Sequence, residues 1–180
     1  MVIKPKPAFF FVTKKNYYII NLDYYLCLMK IHWRKIKNMK ILFICKSNQF
    51  RSQMAASIYN KITDAKDADS SGTFVGSILN EPEGMFIEKA FRSPDFFELM
   101  EENGMNIRKN QTKKLSPKMV ENADIVISMA EEPFIPDFLR NNKKVIWWKI
   151  ENPSLATRDI SEKTYAQIKS LVEDLILSIE

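Results

Sequence analysis

Residues 40–52 read KILFICKSNQFRS, an apolar run followed by a polar loop that ends in Arg-Ser. The apolar, β-rich run over residues 40–45 predicts the first strand of the fold. A helical pattern begins at Arg51 and continues to about Thr63. The stretch therefore predicts a strand, a short loop and a helix, with Cys45 and Arg51 at the two ends of the loop.

Strand and helix patterns alternate along the rest of the chain. Residues 125–129 and 145–148 are short continuous apolar runs, typical of strands buried on both faces of a parallel sheet. A weaker extended segment is expected near residues 68–71. Helices are predicted over residues 51–63, over 85–103 with an interruption at Ser93-Pro94 and a stop at Gly104, and over 159–179. The alternation predicts an α/β fold with a mostly parallel sheet, whose ligand crevice lies beyond the carboxyl ends of the strands.

Charge divides the chain into two parts. Residues 1–38 carry eight basic side chains and one acid, a net charge of +7. Residues 39–180 carry 19 bases and 21 acids, a net charge of −2, so the whole-chain excess of +5 does not predict a nucleic-acid partner. The longest apolar candidate, residues 17–29, is too short to span a bilayer and contains Asp23. Neither a transmembrane helix nor a secretory signal is predicted, and we expect a cytosolic protein.

Residues 1–38 form a basic, aromatic leader that holds eight of the 21 aromatic residues. One interpretation is a surface segment for anionic lipid or nucleic acid. The favoured interpretation is that Met39 is the native start and that the leader is upstream sequence translated from a misassigned initiator. A short helix around residues 17–37 is compatible with either. The body, residues 39–180, is predicted to be a single domain.

The loop between Cys45 and Arg51 has the composition of an anion site. Backbone N–H groups of a short loop can point inward, and the helix N-terminus adds the positive end of its dipole. An Arg in the first helical turn can bind two oxyanion oxygens with its planar fork. Cys45 at the floor of this loop would be held as a thiolate by the dipole, Arg51 and the Ser52 hydroxyl. The only other cysteine is Cys27, so neither a disulfide framework nor a four-ligand zinc site is expected.

From Met39 to the C-terminus, the chain resembles the low-molecular-weight protein tyrosine phosphatases, a superfamily shared with thioredoxin-coupled arsenate reductases. The matching pieces are C-x5-R-S after a strand, SSGT at residues 70–73, KKLSPKMVENADIVISM at residues 113–129, and Trp148 leading to Asn152-Pro153. The resemblance implies a doubly wound, four-stranded parallel sheet with helices on both faces.

The resemblance also implies roles for the loop residues. Cys45 would be the nucleophile that forms a phosphocysteine, and Ser52 would stabilise its thiolate. Asn48 and Ser70 would hold the loop in shape. The residues implied to bind phosphate are Lys46, Ser47, Asn48, Gln49, Phe50 and Arg51. No metal and no cofactor are implied.

The loop departs from the family pattern at two positions. Ser47 stands where the family usually has Gly, which is acceptable if the backbone there keeps a negative φ. Phe50 stands where many members carry a second cysteine that protects the nucleophile. Cys45 is therefore expected to be less well guarded against over-oxidation.

The general acid is the larger departure. The family has an Asp before the proline that protonates the leaving oxygen, whereas this chain has Asn152. An amide cannot donate that proton, and general acid catalysis is worth ~10²–10⁴-fold. Glu151 is the nearest carboxyl group in sequence and is the candidate substitute, although neighbours on an extended loop tend to point in opposite directions. Ser154 also replaces an aromatic residue that lines the pocket of many tyrosine-selective members.

Two functions are compatible with the sequence. The first is a phosphomonoesterase acting on phosphorylated proteins or small phosphoesters, slow unless Glu151 or water supplies the proton. The second is a catalytically weak relative that binds phosphoproteins or oxyanions as a sensor or adaptor. An arsenate reductase is disfavoured because the body has no cysteine besides Cys45. The sequence predicts neither the physiological substrate nor the oligomeric state.

Overall fold

The N-terminal part of the chain contributes a small hairpin. The computed structural model describes residues 10–13, 16–19, 39–80, 82–153 and 155–179. Strands β1 (Phe10–Thr13) and β2 (Asn16–Ile19) pair antiparallel, outside the main sheet. The helix expected around residues 17–37 is therefore wrong at residues 17–19. The rest of that segment, including Cys27, lies outside the described residues.

Four parallel strands form the main sheet, in the order β4-β3-β5-β6. Their bounds are β3 (Ile41–Cys45), β4 (Ala68–Gly72), β5 (Ile125–Ser128) and β6 (Val145–Trp147). The helices are α1 (Arg51–Thr63), α2 (Ile87–Ala90), α3 (Pro94–Glu102), α4 (Pro117–Asn122), α5 (Asp137–Arg140) and α6 (Arg158–Ile179). The α/β class and the four-stranded parallel sheet are confirmed.

Helices cover both faces of this sheet. Successive side chains of a strand point to opposite faces, so Phe43 and Cys45 of β3 pack into one core and Leu42 and Ile44 into another. The larger core is completed by α1, α3 and α6, and the smaller one by α4 and α5. Burial on both faces explains why β3 is a continuous apolar run.

Strand β6 differs from its predicted environment. It is an edge strand, and its Ile146 and Trp147 are each 44% exposed, so the expectation of burial on both faces is wrong here. The next residue, Trp148, packs on Phe43 with the ring centroids 5.7 Å apart. An edge strand has one neighbour and one open side, and a short apolar run does not distinguish it from a central strand.

The helical pattern over residues 85–103 is divided as predicted. Ser93 caps α3 by accepting a hydrogen bond from the Phe96 N–H, and Pro94 occupies the first turn of that helix. Gly104 follows α3 with φ 68, a left-handed conformation that glycine adopts at little cost. No helix among the described residues is long and apolar enough to cross a membrane.

Candidate active site

The loop that joins β3 to α1 leaves several backbone donors unpaired. The N–H groups of Ser47, Gln49 and Phe50 have no protein acceptor within the described part of the chain. The first turn of α1 contains no acidic residue that would compensate its dipole. Free N–H groups next to the positive end of a helix form a site that favours an anion.

Cys45 lies at the floor of the loop, where its thiol is free and only 3% of the residue is exposed. Its Sγ accepts a hydrogen bond from the Asn48 N–H at 3.2 Å and lies 3.1 Å from Ser52 Oγ. Ser52 Oγ already accepts a hydrogen bond of 2.9 Å from Asn48 Nδ2. The hydroxyl hydrogen of Ser52 is therefore available to the sulfur, and it can donate to a Cys45 thiolate together with the Asn48 N–H.

Asn48 is the fully buried centre of the loop and has a φ of 55. Its Oδ1 accepts a hydrogen bond of 2.8 Å from the Lys113 N–H, and Gln53 Nε2 donates to its backbone oxygen at 3.2 Å. Asn tolerates this left-handed conformation better than most residues. Ser47, where the family usually has Gly, does not adopt a positive φ.

Strand β4 supports the loop through Gly72 and the residues that follow it. The Thr73 N–H donates to Cys45 O at 3.0 Å, and the Phe74 N–H donates to Lys46 O at 2.9 Å. A Cβ at Gly72 would come within 2.8 Å of Lys46 O, so the absence of a side chain permits this approach. Ser70 is buried on β4, and among the described residues its hydroxyl makes no hydrogen bond with the loop.

Arg51 connects the start of α1 to the ends of two other strands. Its guanidinium is 2% exposed, and Nη1 donates to Met129 O at 2.7 Å and to Ile150 O at 3.0 Å. Nη2 donates to Glu131 Oε2 at 3.0 Å. The remaining two N–H groups, on Nε and Nη2, have no acceptor in the described residues. These adjacent donors form a fork suited to two oxygens of one oxyanion.

Glu131 joins Arg51 to Asn152. Its Oε2 pairs with Arg51, and its Oε1 accepts a hydrogen bond of 2.9 Å from Asn152 Nδ2. Glu131 is not among the residues predicted from the sequence. The available signal was its place three residues after β5, at the sheet edge where the strand ends gather.

Glu151 is not brought to this cluster. Its side chain is exposed and lines a separate groove of about 170 Å³ with Pro153, Thr164 and Gln167, beside α6. Asn152 instead faces Glu131. The alternation expected on an extended loop is thus observed, and Ser154 lies outside the described residues.

The remaining loop side chains face outward or into the core. Phe50 packs on Phe96 and Phe91, with ring centroids 4.7 and 5.5 Å away, so its side chain belongs to the core. Lys46 Nζ lies 3.6 Å from the centroid of the Phe134 ring and 5.6 Å from that of Phe74. Gln49 is half-buried. Lys46 with its two aromatic partners thus forms a cationic rim beside the loop.

A strand-end cysteine beneath a loop with unpaired N–H donors, followed by an arginine in the first turn of the next helix, is the arrangement that a cysteine-based site for tetrahedral oxyanions requires. The family model "Low molecular weight phosphotyrosine protein phosphatase" matches residues 40–180, and the chain belongs to this family. No curated protein was found to match the chain.

Solved structures of this family and its superfamily are similar to the chain. A low molecular weight protein tyrosine phosphatase from T. tengcongensis is 25% identical over 78% of this chain and 99% of its own, with a TM-score of 0.62. The YwlE arginine phosphatase from Geobacillus stearothermophilus is 20% identical over 78% of this chain and 92% of its own, with a TM-score of 0.61. A thioredoxin-dependent arsenate reductase from Corynebacterium glutamicum is 20% identical over 85% of this chain and 72% of its own, with a TM-score of 0.58. Family and fold support a cysteine-based phosphatase or a related arsenate reductase.

Proposed function

We propose that this protein is a cysteine-dependent phosphomonoesterase that works through a phosphocysteine intermediate on Cys45. The observation that carries the proposal is the convergence of the Asn48 N–H and the Ser52 hydroxyl on Sγ, beneath a loop with unpaired donors. The thiolate is the reactive form of a cysteine nucleophile, and donors aimed at sulfur support it.

In the first step, the phosphate group of the substrate lies on the loop N–H groups and on the fork of Arg51. The Cys45 thiolate attacks phosphorus, the S–P bond forms, and the bond from phosphorus to the leaving oxygen breaks. The loop donors and Arg51 stabilise the charge on the three equatorial oxygens. In the second step, water attacks phosphorus, the S–P bond breaks, and inorganic phosphate and the thiolate are released.

The proton for the leaving group does not come from residue 152. Asn152 is an amide, so hydrolysis of substrates with poor leaving groups needs another proton donor. We expect turnover to be slower than with an Asp at this position unless another side chain supplies the proton. No step of this mechanism requires a metal or a cofactor.

Hydrolysis is proposed over arsenate reduction because of cysteine content. Cys45 is the one cysteine in residues 39–180, so the body has no second thiol to resolve a covalent intermediate. The proposed substrates are phosphorylated proteins or small phosphoesters, since both present the same tetrahedral dianion to the loop.

A second candidate function is an oxyanion or phosphoprotein sensor, favoured by the Asn at position 152. Release of 4-nitrophenol from 4-nitrophenyl phosphate separates the two. The phosphatase predicts turnover by the wild type that Cys45→Ser abolishes. Wild-type turnover no higher than that of Cys45→Ser would exclude the phosphatase, and phosphate binding without turnover would favour the sensor.

A further inference from the structure

The carboxylate of Glu131 contacts Asn152, the residue in the position of the family's general acid, and also contacts Arg51. Its Oε1 is 2.9 Å from Asn152 Nδ2, and its Oε2 is 3.0 Å from Arg51 Nη2. Asn and Asp have the same shape, so Nδ2 takes the place of an oxygen of an Asp at position 152. Glu131 thus holds a carboxylate oxygen one hydrogen bond away from that place. Resting on the phosphatase function above, we propose that Glu131 is the general acid and that Asn152 orients its carboxyl group.

The other carboxylates on the neighbouring loops face elsewhere. Glu132 pairs with Arg140 through both of its oxygens, and Asp137 contacts the same arginine. Glu151 lines the groove beside α6. Within the described part of the chain, Glu131 is therefore the carboxylate that contacts both Arg51 and the residue in the acid's position.

Glu131 can exchange a proton with water. Its side chain is 37% exposed, whereas that of its partner Arg51 is 2% exposed. The protonated carboxyl group is the form that enters the first step of the proposed reaction.

The proton transfers balance over the two steps. As the S–P bond forms on Cys45, the Glu131 carboxyl gives its proton to the leaving oxygen, and an alcohol or phenol departs. Glu131 is then a carboxylate. It takes a proton from the water that attacks phosphorus, while the S–P electron pair returns to Cys45. Glu131 ends the cycle protonated, beside bound inorganic phosphate.

Two substrates that differ in their leaving group test the assignment. The leaving group of 4-nitrophenyl phosphate needs little protonation, whereas that of phenyl phosphate needs it strongly. We expect Glu131→Gln to lose ~10²-fold or more of kcat/KM on phenyl phosphate and far less on 4-nitrophenyl phosphate. Adding Asn152→Asp to Glu131→Gln moves the carboxylate from residue 131 to residue 152, whose side chains are in hydrogen-bond contact, and should restore phenyl phosphate hydrolysis. Glu132→Gln, on the same loop but paired with Arg140, is the matched control and should leave both rates unchanged.

Several results would overturn the inference. An equal loss on both substrates would mean that Glu131 acts only through the position of Arg51. No loss, a selective loss in Glu151→Gln instead, or a selective loss that Asn152→Asp does not restore would remove Glu131 from the acid's role. Thermal unfolding and inhibition by vanadate establish that Glu131→Gln keeps its fold and loop. If it unfolds, Glu131→Asp carries the same test, with a selective loss expected from its shorter reach.

Failure of the inference differs from failure of the proposed function. If the wild type releases 4-nitrophenol in a Cys45-dependent way and Glu131→Gln matches it on phenyl phosphate, the inference alone fails. If no Cys45-dependent release occurs from either substrate, the phosphatase function itself fails.

Discussion

The side-chain amide of Asn48 donates a hydrogen bond of 2.9 Å to the hydroxyl of Ser52. Since the oxygen accepts there, the hydroxyl hydrogen is available to Cys45 Sγ, 3.1 Å away. The same Asn48 uses its backbone N–H on that sulfur. The shape of the loop and the environment of the nucleophile therefore both depend on one residue, Asn48.

Replacing Ser52 by Ala removes one of the two donors on Sγ. Hydrogen bonds to charged groups are worth ~1.5–3 kcal/mol, which corresponds to about 10–100-fold in rate. We expect kcat for 4-nitrophenyl phosphate to fall by about that factor. The matched control is Ser71→Ala, because Ser71 is also fully buried and its hydroxyl has no partner in the described residues. Full activity of Ser52→Ala would contradict the role of this hydroxyl.

Two substitutions of Asn48 separate its backbone conformation from its hydrogen bonds. Asn48→Gly and Asn48→Ala both remove the side-chain bonds to Ser52 and Lys113. Only Ala must adopt a φ of 55 at a steric cost, so we expect it to be less stable than Gly by about 1 kcal/mol. Urea unfolding measures the difference. An Ala variant as stable as the Gly variant would mean that the loop relaxes out of this conformation.

A side chain at Gly72 should distort the loop. Its Cβ would lie 2.6 Å from Val75 Cγ2, 2.8 Å from Lys46 O and 2.9 Å from Asn48 N. Overpacking of this kind costs ~1–3 kcal/mol, so Gly72→Ala should unfold more easily and bind vanadate more weakly. Gly84→Ala is the control, because Gly84 has a φ of 81 and no atom near its Cβ position. Gly84→Ala should lose stability but keep its affinity for vanadate. Equal vanadate inhibition of the two variants would contradict the role of the close approach between Gly72 and Lys46 O.

The ammonium of Lys46 contributes positive charge beside the loop while it lies on the Phe134 ring. Lys46→Met keeps an unbranched side chain that is one atom shorter and removes the charge. Attraction between opposite charges at an exposed site is worth up to ~1 kcal/mol, so we expect KM to rise by up to about 5-fold with kcat nearly unchanged. Lys89→Met removes a comparable contact, 5.9 Å from the Phe86 ring, and should change neither constant. A fall in kcat for Lys46→Met, rather than a rise in KM, would show that this residue shapes the loop.

Local features of the fold could be predicted from the sequence. The strand, loop and helix around Cys45 follow from apolar runs and helical spacing within a few residues of each other. The division of residues 85–103 follows from Ser93-Pro94, and the opposite orientations of Glu151 and Asn152 follow from extended backbone. Each of these features depends on the local conformational preferences of the chain, and the spacing of apolar residues indicates those preferences directly.

Features that depend on tertiary contact were missed. Glu131 and Arg51 are 80 residues apart in sequence, and no periodicity pairs them. The left-handed position of the loop falls on Asn48, a residue type that tolerates this conformation, and it was not predicted because its side-chain partner Lys113 is distant in sequence. The exposure of β6 depends on its place at the sheet edge, which a run of three apolar residues does not encode.

The most direct test of the phosphocysteine mechanism is rapid quenching of the wild-type protein during turnover of 4-nitrophenyl phosphate, followed by mass spectrometry of its peptides. The mechanism predicts a burst of 4-nitrophenol and a phosphoryl group on Cys45, both absent from Cys45→Ala. Turnover with no phosphoryl group on Cys45, or with the group on another residue, would contradict it.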